Sequence, residues 1–259
     1  MKIGIIGCGV MGSAFARQFI KKHQVVLFDR TQEKAAALAK EIKAESVSTM
    51  QELVKGTGAV MLAVKPKDFA NVVNACSSLL SKETLLLSIL SGTSTETLKK
   101  SFPNASILRL MPNLALTCGL GVIGIVEEEN LTKEVKKTAE ELFSNLGLLV
   151  WLPENKMEGL TALAGSGPAF IFVVIEAMIE SGIAMGLSAK EAGELSLKTI
   201  EGAAALLRAS GKHPGDLRWQ IASPGGTTIA GLNEMEACGV RSGMIKTFLA
   251  TYKRAKEFL

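Results

Sequence analysis

Two glycine-rich segments lie at opposite ends of this 259-residue chain, each placed where a helix should begin. The first, Gly7-Cys8-Gly9-Val10-Met11-Gly12, has the spacing GxGxxG, follows a short apolar run and opens a helical pattern. In that context Gly7 allows a tight turn, Gly9 lets the backbone approach a pyrophosphate, and Gly12 lets the helix pack closely on a strand. The second, Ser223-Pro224-Gly225-Gly226-Thr227-Thr228-Ile229-Ala230-Gly231-Leu232, sets a proline, two glycines and two hydroxyls ahead of another helical pattern. Pro224 fixes φ and removes a donor, the glycines permit φ > 0, and Thr227 or Thr228 is expected to cap a helix beginning near Ile229. A plain turn and cap is one reading of this segment. The other is an anion site formed by free amides at the helix start. Two such starts in one chain suit one cofactor and one substrate carboxylate.

Side chains at the ends of other apolar runs extend the first site. Asp29 closes the second run about 20 residues after the glycines, where an acid can accept from a ribose 2′-hydroxyl. Arg30 follows it, and either grips a 2′-phosphate in bidentate fashion or stands as a solvated helix-start residue. The pair indicates a nicotinamide dinucleotide and leaves open which one. Ala63-Val64-Lys65-Pro66, Ser91-Gly92-Thr93-Ser94 and Met111-Pro112-Asn113 each end a strand at the carboxyl edge, where open α/β sheets bind ligands. Asn113 would there reach the nicotinamide carboxamide or ribose.

The elements that must position these residues alternate. Apolar runs at 2–6, 24–28, 59–64, 85–90, 106–110, 122–126 and 148–152 read as strands. Helical patterns between 7 and 23 and near 33–42, 68–80, 94–101 and 132–146 separate most of them. This alternation predicts an α/β fold with a doubly wound parallel sheet over residues 1–153. After Pro153 the chain reads as helix after helix, near 155–183, 188–210, 214–222, 228–238 and 241–258, making a second domain of residues 154–259. Those helices are too apolar for a solitary small domain, which points to a second subunit.

Composition narrows the function. With 47% apolar residues, one Tyr and two Trp, the chain suits helices packed on a buried sheet. The net charge of +4 is dispersed, and basic residues are not interleaved with aromatics, so nucleic acid is not an expected partner. Cys8, Cys76, Cys118 and Cys238 are scattered, and only His23 and His213 offer imidazole, so no metal site is expected and the thiols read as reduced and cytoplasmic. Lys2 and the apolar run to Ala16 loosely mimic a signal peptide, but three glycines interrupt it. The apolar segment from Pro168 to Ile175 stops at Glu176, too short to span a bilayer, so no membrane is expected.

Taken in order, these motifs resemble the pyrroline-5-carboxylate reductase family over essentially the whole chain. The likeness rests on Ile5 to Gly12, Ala63-Val64-Lys65-Pro66, Arg109-Leu110-Met111-Pro112-Asn113, Ala164-Gly165-Ser166-Gly167-Pro168-Ala169, His213-Pro214-Gly215-Asp216-Leu217 and, most specifically, Ser223 to Leu232. It implies an N-terminal Rossmann domain and an all-helical domain that dimerises by interleaving helices, with higher assemblies of dimers in some members. It implies reduction of the C=N bond of 1-pyrroline-5-carboxylate to L-proline, the last step of proline biosynthesis, with NADPH as the expected cofactor and NADH the alternative. By position, Thr228 would hydrogen-bond the ring nitrogen as the catalytic residue, while Ser223, Gly225, Gly226 and Thr227 hold the carboxylate. Gly7, Cys8, Gly9, Val10, Met11, Gly12, Arg30, Ala63, Val64, Lys65, Pro66, Ser91 and Asn113 would line the cofactor. Asp29-Arg30 and Ile89-Leu90-Ser91-Gly92 depart from commoner family patterns.

That chemistry explains why the late motif contains no His, Asp, Glu, Lys or Cys. A protonated imine is already electrophilic, so the protein must position and polarise rather than supply a strong acid. Hydrolytic or metal-dependent mechanisms would find no residues there. Two rivals remain: a β-hydroxyacid-dehydrogenase-like oxidoreductase, with Lys156 as the tempting base, and a non-catalytic nucleotide-sensing protein on the same fold.

Overall fold

The computed structural model describes residues 1–258. Its strands are β1 (Lys2–Ile6), β2 (Gln24–Phe28), β3 (Glu45–Ser46), β4 (Ala59–Leu62), β5 (Leu85–Ser88), β6 (Ser106–Pro112), β7 (Gly121–Val126) and β8 (Gly147–Leu152). Helices α1 (Val10–Phe19), α2 (Gln32–Ile42), α3 (Met50–Val54), α4 (Phe69–Cys76), α5 (Thr95–Ser101) and α6 (Lys133–Phe143) lie among them. They are followed by α7 (Met157–Leu160), α8 (Gly167–Ala184), α9 (Ala189–Ser210), α10 (Pro214–Ile221), α11 (Thr227–Ala237) and α12 (Val240–Lys256). Two compact units result: Met1–Gly165 with the chain from Tyr252 onward, and Ser166–Thr251. The last described strand ends at Leu152, whereas the compact grouping changes after Gly165. Leu259, the final residue of the expected second domain, lies outside the described residues.

The first unit carries one sheet in the order β3-β2-β1-β4-β5-β6-β7-β8. Neighbours pair in parallel except β6 and β7, which are antiparallel. The exception corrects the all-parallel expectation, and its cause is local. A 3₁₀ turn at Leu114–Cys118, closed by Gly119 at φ 72°, replaces the helix that a parallel crossover needs. Alternate strand residues feed opposite faces. Val25, Leu27, Met61 and Leu87 pack with Phe15, Phe19 and Phe143. Val26, Val60, Leu62 and Leu86 pack with Leu53, Val72 and Phe102. Such double-sided burial is what near-continuous apolar strands require. The two-residue β3 and the short α3 had no sequence signal, because neither is long enough to show a period.

The second unit is helical. Ser188 caps α9 through a reciprocal capping box with Glu191, and Gly211 ends that helix at φ 62°. Gly182 of α8 comes so close to Ala192 of α9 that an added Cβ would lie 2.8 Å from the alanine methyl. Phe172, Val173, Leu195 and Leu197 are nevertheless exposed. Glu154–Ala184 is largely helical over 31 residues, opening with a 3₁₀ turn, passing through a π turn at Thr161–Gly165 and bending at Ser166. With a mean hydropathy of 1.9 over its most apolar window, it is long and apolar enough to cross a membrane by length and composition. The expectation that the Pro168–Ile175 segment stops short at Glu176 is thereby corrected, because α8 runs on to Ala184.

Gly147 opens β8 at φ 134°, and an added Cβ would overlap the backbone of Gly121 on β7. Gly147→Ala is expected to destabilise the protein by roughly 2–4 kcal/mol, combining backbone strain with a forced strand shift. Urea unfolding followed by circular dichroism checks this; a loss under 1 kcal/mol would contradict the close approach.

Candidate active site

The apolar strand β1 delivers the chain to Gly7, whose φ of 105° only glycine adopts without strain. The Gly7 amide donates to Phe28 O at 2.8 Å, joining the loop to the end of β2. A Cβ on Gly7 would lie 2.5 Å from Ala63 O, and one on Gly12 would collide with Gly7 O. Gly9 faces open space and is the N-cap of α1, where no side chain caps the helix and no acid occupies the first turn. Its first amides are therefore free to meet an anion.

Asp29 does something the sequence did not show. One carboxylate oxygen accepts from Cys8 N at 2.7 Å and the other from Thr31 N at 2.9 Å. The acid expected at a ribose hydroxyl thus staples the glycine loop to the β2 turn. Ser13 adds a second tie, its hydroxyl donating to Cys8 O at 3.0 Å.

A cavity of about 500 Å³ opens beside this loop. Of the predicted cofactor residues, Gly7, Gly9, Arg30, Ala63, Val64 and Lys65 line it. Cys8, Met11 and Gly12 turn inward, Val10 is exposed outside the lining, and Pro66 starts the 3₁₀ turn Pro66–Asp68 after β4. Ser91 and Asn113 are not among the lining residues. Asn113 is buried with both ends of its amide occupied: Nδ2 donates to Ala164 O at 2.9 Å and Oδ1 accepts from Val122 N at 3.0 Å. It clamps the β6–β7 turn to the π turn, a job different from the one expected. Lys34, Ser48, Lys67, Asp68 and Asn71 are among the further lining residues, and none of them was anticipated as a cofactor contact. They follow strand ends that become neighbours only when the sheet forms. Arg30, Lys34, Lys65 and Lys67 give the lining an excess of positive charge over Asp29 and Asp68, and with Gly9 and the α1 amides this fits a phosphorylated dinucleotide.

A second polar cluster supports the region. Arg109 on β6, 2% exposed, donates to Glu154 Oε1 at 2.6 Å and lies 3.6 Å from Glu158 Oε1. Glu154 Oε1 also accepts from Thr95 N at 2.8 Å, at the start of α5. Buried charge of this kind persists when its groups are mutually paired. Lys156, the base required by the dehydrogenase rival, is exposed at the end of a 3₁₀ turn.

In the second unit, Ser223–Thr228 joins α10 to α11. Gly226 N donates to Ser223 O at 3.1 Å across a turn with Pro224 second and Gly225, φ 69°, third, the residue order of a type II turn. An added Cβ on Gly226 would collide with Ser223 Oγ. The helix begins at Thr227 rather than near Ile229, and Gly226 is its N-cap with no side-chain cap. Neither threonine therefore caps it, a correction that follows from the helix starting directly after the turn, with Thr227 and Thr228 already inside its first turn. The helix start keeps its amides free and leaves the hydroxyls of Thr227 and half-buried Thr228 out of the cap.

A glycine-loop cavity on a Rossmann-type sheet, in a chain that also carries a helical unit, defines a protein of the dinucleotide-binding class. Residues 2–92 match the family model "NADP oxidoreductase coenzyme F420-dependent". Residues 154–258 match "Pyrroline-5-carboxylate reductase dimerisation". The pyrroline-5-carboxylate reductase of Aquifex aeolicus is 36% identical over 99% of this chain and 97% of its own, and that of Pisum sativum 32% identical over 98% and 95%. The Plasmodium falciparum pyrroline carboxylate reductase, solved with NADP bound, superposes with a TM-score of 0.89 at 27% identity, covering 100% of this chain and 98% of that one. The Streptococcus pyogenes 1-pyrroline-5-carboxylate reductase gives 0.88 at 29% identity, covering 99% and 98%. The chain belongs to the pyrroline-5-carboxylate reductase family.

Burial, and secondarily the charge of Asp29, pushes the Cys8 thiol up from 9.0 to about 12, and burial raises Cys76 from 9.0 to about 11. Both folded values exceed the unfolded one. The stability they contribute is therefore complete below pH 9 and is lost as pH rises toward 11 and 12. At about pH 8, iodoacetamide is expected to label exposed Cys118 and Cys238 and to spare Cys8 and Cys76 until the protein unfolds. Peptide mass mapping checks the order, and early labelling of Cys8 would contradict its burial.

Proposed function

We propose that this protein reduces the C=N bond of 1-pyrroline-5-carboxylate to give L-proline, with NADPH as cofactor and NADH as the alternative. The observation that carries the reading is the Ser223–Thr228 helix start, free of titratable side chains, in a chain related over its whole length to pyrroline-5-carboxylate reductases. Residues 1–153 bind the dinucleotide, and 154–259 bind substrate and dimerise. Bound NADPH supplies the hydride.

The protein's own contribution is placement. Gly7 and Gly9 let the pyrophosphate reach the α1 amides, while Ala63, Val64 and Lys65 form the adjoining wall at the end of β4. Arg30 meets a 2′-phosphate. Ser223 and the amides around Gly225, Gly226 and Thr227 hold the substrate carboxylate at the helix start. The Thr228 hydroxyl oxygen accepts from the protonated ring nitrogen and orients the imine carbon. Such orientation can lower a barrier by several kcal/mol without an acid or base in the site.

The exposed apolar residues of α8 and α9 are proposed as the homodimer face, which also accounts for the apolar 154–184 helix without a membrane. A soluble cytoplasmic homodimer, or a higher assembly of dimers, is the form in which we expect the enzyme to work. Sedimentation at micromolar concentration is expected to give at least twice the 27.4 kDa chain mass; a monomer would remove this assignment.

Oxidation of NADPH, and separately of NADH, is measured with and without pyrroline-5-carboxylate. Substrate-dependent consumption is expected, and its absence with both cofactors would restore the nucleotide-sensing alternative. Thr228→Ala is expected to lower kcat/KM by roughly 10- to 1,000-fold. Unchanged turnover would remove Thr228 from the mechanism.

A further inference from the structure

Arg30 and Asp68 form an ion pair across the lip of the dinucleotide cavity. Arg30 follows β2 and Asp68 ends the 3₁₀ turn after β4, the two strands that flank β1 in the sheet. The guanidinium Nη1 donates to Asp68 Oδ1 at 2.8 Å, with the two side chains 75% and 24% exposed. Asp68 occupies the N-cap position of α4, where a carboxylate ordinarily accepts from the helix amides, yet it makes no cap hydrogen bond. Its charge is spent on Arg30 instead.

The rest of the lining gives that choice its meaning. Asp29, the acid placed to favour a free ribose, has both oxygens bonded to Cys8 N and Thr31 N. The other charges on the lining are Lys34, Lys65 and Lys67. Asp68 is therefore the carboxylate that faces the cation assigned to the 2′-phosphate. It has two opposed effects: it fixes one edge of the guanidinium and leaves other N–H groups for a ligand, and it repels a phosphate bound to the same fork. An exposed ion pair contributes little orientation, whereas two anions a few ångströms apart repel appreciably even in a watery setting. Repulsion wins on these magnitudes.

We infer that Asp68 is a specificity-determining residue that weakens the preference for a 2′-phosphorylated dinucleotide and so brings NADPH and NADH closer in affinity. The inference rests on the reading that Arg30 meets the 2′-phosphate. Asp68→Asn isolates the charge, since asparagine keeps an oxygen that can accept from Arg30.

Calorimetric titration of the full-length protein with NADP⁺ and with NAD⁺ tests it, using wild type, Asp68→Asn and Arg30→Gln. Asp68→Asn is expected to tighten NADP⁺ by roughly three- to ten-fold while moving NAD⁺ by less than about two-fold, with the gain shrinking in 0.5 M salt. Arg30→Gln is expected to weaken NADP⁺ selectively. If Arg30→Gln does so but Asp68→Asn leaves NADP⁺ unchanged or weaker, or shifts both dinucleotides equally, the inference falls and the Arg30 reading stands. If Arg30→Gln has no selective effect, both fall.

Discussion

The first unit depends on three stretches of backbone approaching more closely than side chains allow. Gly7 turns at φ 105° against Ala63 O, and Gly12 lies against Gly7 O. A methyl group at either position would force the first helix away from the end of β4. That helix would then no longer present its amides to the cavity, and Ala63, Val64 and Lys65 would no longer form the wall beside it. Glycine is required here by steric exclusion between backbones, which is why this turn tolerates so little chemistry while the lip around it varies in charge.

Polar groups hold what the glycines permit. Asp29 ties the loop to β2 with two amides, Asn113 ties the β6–β7 turn to the π turn, and Glu154 links Arg109 to the start of α5. In each case a side chain that could serve a ligand is already satisfied by protein. Asp29 lines the cavity while both of its oxygens are bonded to backbone amides, whereas Arg30, Lys34, Lys65, Lys67 and Asp68 remain at the lip, where a dinucleotide would meet them.

The second unit solves a different problem. Its turn at Ser223–Gly226 leaves the amides that open the next helix uncapped and places two hydroxyls beside them. The turn itself carries no titratable side chain, which suits the proposed reduction, since an imine that carries its own proton needs orientation more than acid–base assistance. The helices of this unit keep apolar residues such as Phe172, Val173, Leu195 and Leu197 exposed.

The alternation of strand and helix, the GxGxxG turn and the Ser223–Leu232 motif were legible in the sequence, because each rests on local period or on residues that few other conformations require. β3 and α3 were too short to leave a period, and the antiparallel β6–β7 pair depended on a turn that only the packed sheet reveals. Asp29 and Asn113 were placed correctly along the chain, yet their hydrogen-bond partners lie in segments remote in sequence, so a ligand-facing role and a stapling role looked alike. The Arg30–Asp68 pair was invisible for the same reason: its members stand 38 positions apart and meet because β2 and β4 flank β1. Sequence alone determined which chemistry this protein could perform, since residue types and local backbone freedom are written there. Tertiary structure decided which charges face the cofactor cavity and which are consumed within the fold, because that depends on which strand ends become neighbours.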